Sequence, residues 1–354
     1  MKNGLADLRG STTAKEVNKA VQQIKPLTID AATKEQLRIL FIAKHAKWDG
    51  GLHPDDGNHA LYHVETREIL KGLGLNLMLA DSFDVLFEKP EVDFVFPLLN
   101  RAGFFNSEML GPLLCTRHDI PFLGASPILR GLSDDKHLAK RAAVVAGVPT
   151  ADWAIYRRGA PIDPATCPKA ERYVIKPNAS SASWGVHDAT DWAGVKLAID
   201  EIHADKHDAI VEPFLVGSDV EVPVITMGDP VLMPKMIFEQ ADPAHLRTYQ
   251  EKRDLVDRSQ KYSLDPFEND TELSDLISDY TQRLWADYRP FDYGRFEFRV
   301  NRETRKVHFI EVNLNCNLWS QKVYGRSAVL AGWTQAELIE TILADSLRRN
   351  RLMV

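Results

Sequence analysis

The chain has 354 residues, enough for two or three domains with ample core. Hydrophobic residues make up 44% and charged residues 26%, the balance of an ordinary globular protein rather than a disordered or fibrous one. A net charge of −7 argues against sequence-independent nucleic-acid binding, which needs a basic surface, but leaves room for a locally basic phosphate pocket.

Three widely spaced cysteines, Cys115, Cys167 and Cys316, form no zinc or disulfide pattern and point to a reducing compartment. No apolar run reaches membrane-spanning length, and the N-terminus lacks a signal-peptide core. The expectation is a cytoplasmic protein with neither nucleic acid nor membrane as partner.

Residues 1–35 are polar, with a helical stretch near 14–24 capped by Thr12 or Thr13, either a mobile arm or a dimer contact. The run 37–43 reads as a buried strand, 60–72 as a helix, and 75–79 and 94–99 as further strands. This βα alternation implies a parallel sheet flanked by helices. A short strand is expected at 121–124 and a helix over 134–146, ended by Gly147 and Pro149. Strands at 153–156, 173–176 and 209–214 suggest a second domain. Segments 220–226 and 231–238 and a later hairpin suggest a third, mostly antiparallel, region closed by a helix over 335–348.

That hairpin is the most informative segment. Residues 294–300 and 307–313 alternate as strands do, joined by a short polar link. Side chains two apart share a face, so Arg295, Glu297 and Arg299 point one way and Phe296, Phe298 and Val300 the other. By the same rule Glu311 and Asn313 are expected to share a face with Val307 and Phe309. A turn near Thr304 sets Glu297 opposite Glu311, with Cβ atoms about 5 Å apart. Two carboxylates that close repel unless one is protonated or a cation lies between them. Two carboxylates and an amide oxygen suit Mg²⁺, which keeps places for phosphate and water. The bland alternative is an exposed hairpin with charges on its wet face; the apolar second face and the Asn two past Glu311 favour the metal.

Other segments say less alone. Lys176 ends a strand and precedes the small, hydroxyl-rich run 178–186, whose backbone N–H groups could close round an anion; an ordinary Ser-rich loop reads the same way. It has neither P-loop nor Rossmann spacing. Glu212, Asp219 and Glu221 sit at strand ends, where carboxylates accept ribose hydroxyls or are merely solvated. His59 and His63 stand four apart near His53, a spacing shared by zinc pairs and plain turns, with no Glu between them in the metalloprotease manner. Cys316 follows the proposed metal ligands and reads as a structural cysteine rather than a nucleophile.

Taken in order, the pieces "VFPLLN", "PFLGASPILRGLSDDKHLAKRAAVVAGVPTADW", "VIKPNASSASWGV", "VEPFLVGSDVEV" and "GRFEFRV…VHFIEVNLN" resemble the ATP-grasp enzymes, and within them the D-alanine:D-alanine ligase family, over about residues 92–345. The resemblance implies a mixed α/β and α+β protein. A doubly wound N-terminal α/β (pre-ATP-grasp) substrate domain over 36–135 would follow a 1–35 extension. Two ATP-grasp lobes would span 136–215 and 216–354, the latter with the metal site and lid. It implies phosphate binding by Lys136 and Lys176, adenine-edge positions at Glu212 and Leu215, and a ribose carboxylate at Asp219 with Glu221 as the other candidate. It further implies Mg²⁺ at Glu297, Glu311 and Asn313, in two ions that Mn²⁺ could replace, charge stabilisation by Arg295, and a lid lysine at Lys252. The family often forms homodimers.

The departures from the pattern fall on the amino-acid side. The family's acidic N-terminal loop is replaced after Ile42 by "HAKWDGGLHPDDGNH", and its His-Gly pair by Asn100-Arg101. Ala182 replaces a serine while Ser183 remains, Arg253 replaces the lid tyrosine, and Lys322 replaces a carboxylate-holding serine. The expected activity is therefore an ATP-dependent carboxylate–amine ligase working through an acyl phosphate. Its substrates are small carboxylates and amines, amino acids or similar, but not simply two D-alanines. The alternatives are an ATP-grasp phosphotransferase and a nucleotide sensor.

Overall fold

The computed structural model describes residues 24–353 except 55, 56, 58, 99–106, 181, 182, 241, 247, 253–261, 268 and 315. Asn100 and Arg253, and all but the last residue of the helix expected over 14–24, lie outside the described residues.

The first apolar run becomes β1 (Arg38–Ala43), buried from its second residue onward. It is the middle of a parallel sheet in the order β2-β1-β3, with β2 (Asn76–Ala80) and β3 (Phe94–Leu98) beside it. The helix His59–Gly72 carries the first crossover. Residues 121–124 do not form the expected strand. Phe122 makes one parallel bridge to Val95. Pro121 has no N–H to donate, and Gly124, at φ +106, turns the chain away. The helix expected over 134–146 forms as Lys136–Val145, and a further helix, Pro127–Asp134, runs just before it. Asp135 leaves the helical conformation between them and caps the later one through Leu138 N.

A second, antiparallel sheet has the order β4-β7-β5-β6: β4 (Ala154–Tyr156), β5 (Tyr173–Pro177), β6 (His187–Ala189) and β7 (Ala209–Pro213). One side of helix Trp192–Ala204 shares its core, through Val195, Ile199 and Ile202 with Ile175 and Val211.

The largest sheet has the order β11-β10-β8-β12-β13, with β9 also on β8. Its strands are β8 (Ser218–Met227), β9 (Asp229–Leu232), β10 (Met236–Gln240), β11 (Tyr262–Pro266), β12 (Tyr293–Asn301) and β13 (Lys306–Asn313). The single strand expected over 231–238 is thus two: Pro234 lacks a ladder N–H, and the chain steps from one end of β8 to the other. One face of this sheet is core. Phe298 and Phe309 meet edge to face at 6.0 Å, a contact worth about 1 kcal/mol beyond burial.

Candidate active site

From its turn, the β12–β13 hairpin pairs Val300 with Val307 and Phe298 with Phe309. Carried on unchanged, that register would set Glu297 against Ile310 and turn Glu311 into the core. One extra residue in β13, a bulge, resets it and pairs Glu297 with Glu311. The pairing of the two acids is therefore as expected, but the face is not. Val307 and Phe309 are buried, while Glu311 and Asn313 emerge on the opposite side. Strict alternation failed there because a bulge shifts the period by one.

On its other edge β12 pairs with β8 so that Glu221 stands beside Glu297. Three carboxylates thus lie in a row across three strands, about 5 Å apart strand to strand. Cations offset their repulsion. Arg295 Nε lies 2.9 Å from Glu221, and its terminal nitrogen 2.6 Å from Glu297. Lys136 Nζ lies 3.4 Å from Glu311. Asn313 Nδ2 donates to Glu297 at 2.6 Å and to Glu311 at 3.2 Å. Desolvation raises the Glu297 carboxyl above its ordinary value, Arg295 opposing and Glu311 adding to it. The same desolvation acts on Glu311, but Lys136 and Lys176 outweigh it and hold that carboxyl low. Lys252, at the end of helix Tyr249–Lys252, lowers both. Burial pulls the Arg295 guanidinium down, yet Glu221 and Glu297 keep it charged. Carboxylate and amide oxygens are hard donors, as Mg²⁺ requires.

Lys136 also joins this row to the loop after β5. Its Nζ donates to Ser180 O at 2.7 Å, and Asn178 takes the N–H groups of Lys136 and His137. Ser183 sits in that loop at φ +62, beside Gly185 at φ +67. Lys176 and Glu212 come together on the second sheet, 2.5 Å apart, and Lys140 Nζ lies 2.5 Å from the other Glu212 oxygen. Lys140 is wholly buried, and the sequence reading missed it. Its spacing of four from Lys136, which puts both on one helix face, was the available signal. Leu215 lies half-buried between β7 and β8. Asp219 is held by Arg299 at 3.2 Å; Arg299 also binds Gly217 O, and at Gly217 a Cβ would meet Val300 O at 2.3 Å.

The remaining candidates lie further out. Lys322 flanks helix Val323–Leu330 with its Nζ 5.8 Å over the Trp319 ring. His45 stacks on His53 at 4.2 Å, and His59 meets His63 edge to face at 6.4 Å. Among the described residues no three His, Cys, Asp or Glu side chains are grouped to hold a metal, so the histidines gain no zinc reading. The acid row offers a metal two carboxylates and an amide, with phosphate and water left to complete it. Among the described residues no helix is long and apolar enough to cross a membrane.

Burial pushes the Cys316 thiol up to about 12, against the pull of Arg295, and Cys115 likewise to about 12. Thiolates are the reactive form. Iodoacetamide at pH 8 is expected to leave both unmodified until the chain unfolds. Rapid native-state alkylation of Cys316, followed by mass spectrometry, would restore it as a nucleophile.

A sheet with lysines beside a loop of small residues, joined through Lys136 to a sheet with a row of metal-suited acids, matches an ATP-grasp fold. A solved D-alanine–D-alanine ligase from Bacillus anthracis shares it, with a TM-score of 0.71 at 17% identity over 89% of this chain and 99% of that one. The family described as D-ala D-ala ligase C-terminus matches residues 145–344, more than half of the chain, and the chain belongs to that family. It is similar to a D-alanine–D-alanine ligase of Actinobacillus pleuropneumoniae, 28% identical over 296 residues (78% of this chain, 89% of the other). It is also similar to the uncharacterized protein y4sG of Sinorhizobium fredii, 27% identical over 240 residues (67% and 70%). The chain is an ATP-dependent ligase of the D-alanine–D-alanine ligase type.

Proposed function

We propose that this ligase joins a small carboxylic acid to an amine through an acyl phosphate, releasing ADP and phosphate. The acid row of Glu297, Glu311 and Asn313 facing Lys136 and Lys252 is the observation that carries this reading. Lys136, Lys176 and the Ser183 loop would hold the nucleotide phosphates. Glu212 and Leu215 would meet adenine. Asp219, paired with Arg299, would take the ribose, with Glu221, paired with Arg295, as the other candidate. Two Mg²⁺ ions at Glu297, Glu311 and Asn313 would supply charge neutralisation on the β- and γ-phosphates, and Mn²⁺ could stand in for them.

The substrate carboxylate attacks the γ-phosphorus, and its C–O–P link replaces the bond to ADP. The amine then attacks the acyl carbon, phosphate departs with the former carboxylate oxygen, and the amine loses a proton. Arg295, locked between two acids, is pre-oriented for the oxyanion of that second step, a role worth roughly 3 kcal/mol. Acyl phosphates hydrolyse readily, so water must be kept out. The segment 240–262 is the proposed lid. Its start is already braced, with Glu251 accepting from Thr248 N at 2.8 Å and facing His245 at 3.2 Å.

The sequence assigns Asn100, Arg253 and Lys322 to the substrate, and two of them are cationic, which favours substrates other than a pair of D-alanines. A pairwise screen of amino acids and small carboxylates by coupled ADP release tests the reading. Release should need an acid and an amine together. Release with one compound alone, leaving a stable phosphorylated product, would instead make the protein a phosphotransferase.

A further inference from the structure

The loop from Leu314 to Lys322 leaves the metal-facing end of β13 and is held from three sides by groups the reaction does not use. From the N-terminal domain, Tyr62 and Glu65 point at it from successive turns of helix His59–Gly72. Tyr62 Oη accepts from Leu318 N at 3.0 Å, and the two Glu65 oxygens accept from Ser320 N at 3.0 Å and Ser320 Oγ at 2.7 Å. From the closing helix, Gln335 Nε2 donates to Leu318 O. From below, Gly325 packs on the backbone of Ser320, where a Cβ would lie 2.3 Å from its Cα. Inside the loop, Asn317 Oδ1 accepts from Trp319 N at 2.6 Å. Glu65 and Ser320 are 255 residues apart in the chain, so no local folding preference makes this contact.

Leu318 and Trp319 anchor the loop in the core, but Ser320 and Lys322 towards its outer end are half-exposed, and there water would serve the Ser320 N–H as well as Glu65 does. The loop's outer end carries Lys322, on the proposed substrate side, and positioning groups of this kind hold reacting partners within tenths of an ångström. We propose that Glu65, with Tyr62, is a positioning residue. The N-terminal domain grips the loop behind the acid row and thereby fixes the wall against which the substrate, not the nucleotide, is held. This rests on the ligase reading above.

The test uses the full chain with Glu65→Ala, Glu65→Gln and Ser320→Ala, the last removing a single hydroxyl so that folding is spared. Three quantities are read: amide hydrogen exchange over 314–322, affinity for ATP with Mn²⁺, and KM and kcat for ADP release with the best acid–amine pair. Glu65→Ala should speed exchange within 314–322 only, leave nucleotide affinity unchanged, and raise KM for the acid or amine on the order of tenfold, more than it lowers kcat. Glu65→Gln, keeping one acceptor oxygen, should recover part of that KM, and Ser320→Ala should fall between. Faster exchange across the whole chain, nucleotide affinity falling in step with KM, or kinetics unchanged in all three variants would each overturn the proposal. A wild type with no acid- and amine-dependent ADP release refutes the ligase reading and this role together. An active wild type with unaffected variants refutes this role alone.

Discussion

Glu311→Gln is expected to lower kcat/KM for ADP release by a factor of about 10³ while leaving the fold intact. The two halves of that expectation have one origin. Glu311 is brought out of the core by the β13 bulge and set against Glu297. In the free protein this is an electrostatic burden, because each acid raises the cost of charging the other. A neutral amide at 311 relieves it, at the expense of the 3.4 Å pairing with Lys136. The lost attraction is the larger change, since Lys136 and Lys176 hold the Glu311 carboxyl at about 2, so Tm should fall by several degrees while the fold persists. Catalysis has no such compensation, since the lost charge would face the nucleotide phosphates. Mn²⁺ affinity, measured separately with a non-hydrolysable ATP analogue, should fall as well. A Glu311→Gln enzyme that keeps its ADP release would remove the acid row from the mechanism.

Much of this site was legible in the sequence because strand alternation and motif order are short-range properties. The hairpin, the Glu297–Glu311 pair and the face shared by Arg295 and Glu297 follow from residues within twenty positions of one another. The face of Glu311 did not follow, since nothing local announces the extra residue at Ile310. The break at Pro234 had a visible cause that the apolar run 231–238 concealed. Lys140 was hidden for another reason. A lysine on an amphipathic helix normally faces water, and only the distant arrival of β7 with Glu212 makes a buried position tolerable. The third carboxylate, Glu221, reads from the sequence as a ribose candidate. Its place in the acid row depends on β8 lying beside β12, a pairing across some seventy residues that no pattern specifies. Contacts of that range, like Glu65 with Ser320, are visible only in the folded chain.

The Lys140–Glu212–Lys176 group yields the largest expected effect on stability. Glu212 is 5% exposed and touches both lysines at 2.5 Å. Burial works to raise its carboxyl, but Lys140 and Lys176 outweigh it and hold it at about 2, against 4.5 in the open chain. The lysine side tells the opposite story: burial wins at Lys140 and lowers it despite Glu212. The two do not balance, so forming the group stabilises the fold by less than the Glu212 shift alone implies. Breaking it is a different matter, because Glu212→Ala leaves two buried cations facing each other. That should cost about 3–5 kcal/mol and lower Tm by on the order of 10 °C.

The pH dependence has a definite sign. A carboxyl whose folded value is depressed stabilises the protein above its unfolded value and loses that contribution as pH falls through the folded one. For Glu212 the window runs from 4.5 down to about 2, with a loss on the order of 3 kcal/mol less the lysine penalty. Urea midpoints of wild type and Glu212→Gln should therefore lie far apart at pH 7 and converge on acidification. Parallel curves across that window would mean that the lysines hold no charge worth compensating. Glu212→Leu combined with Lys140→Met should regain only part of the stability at pH 7, since Lys176 stays buried without its acid, and should still bind ATP poorly because the surviving Lys176 has lost the acid that aims it.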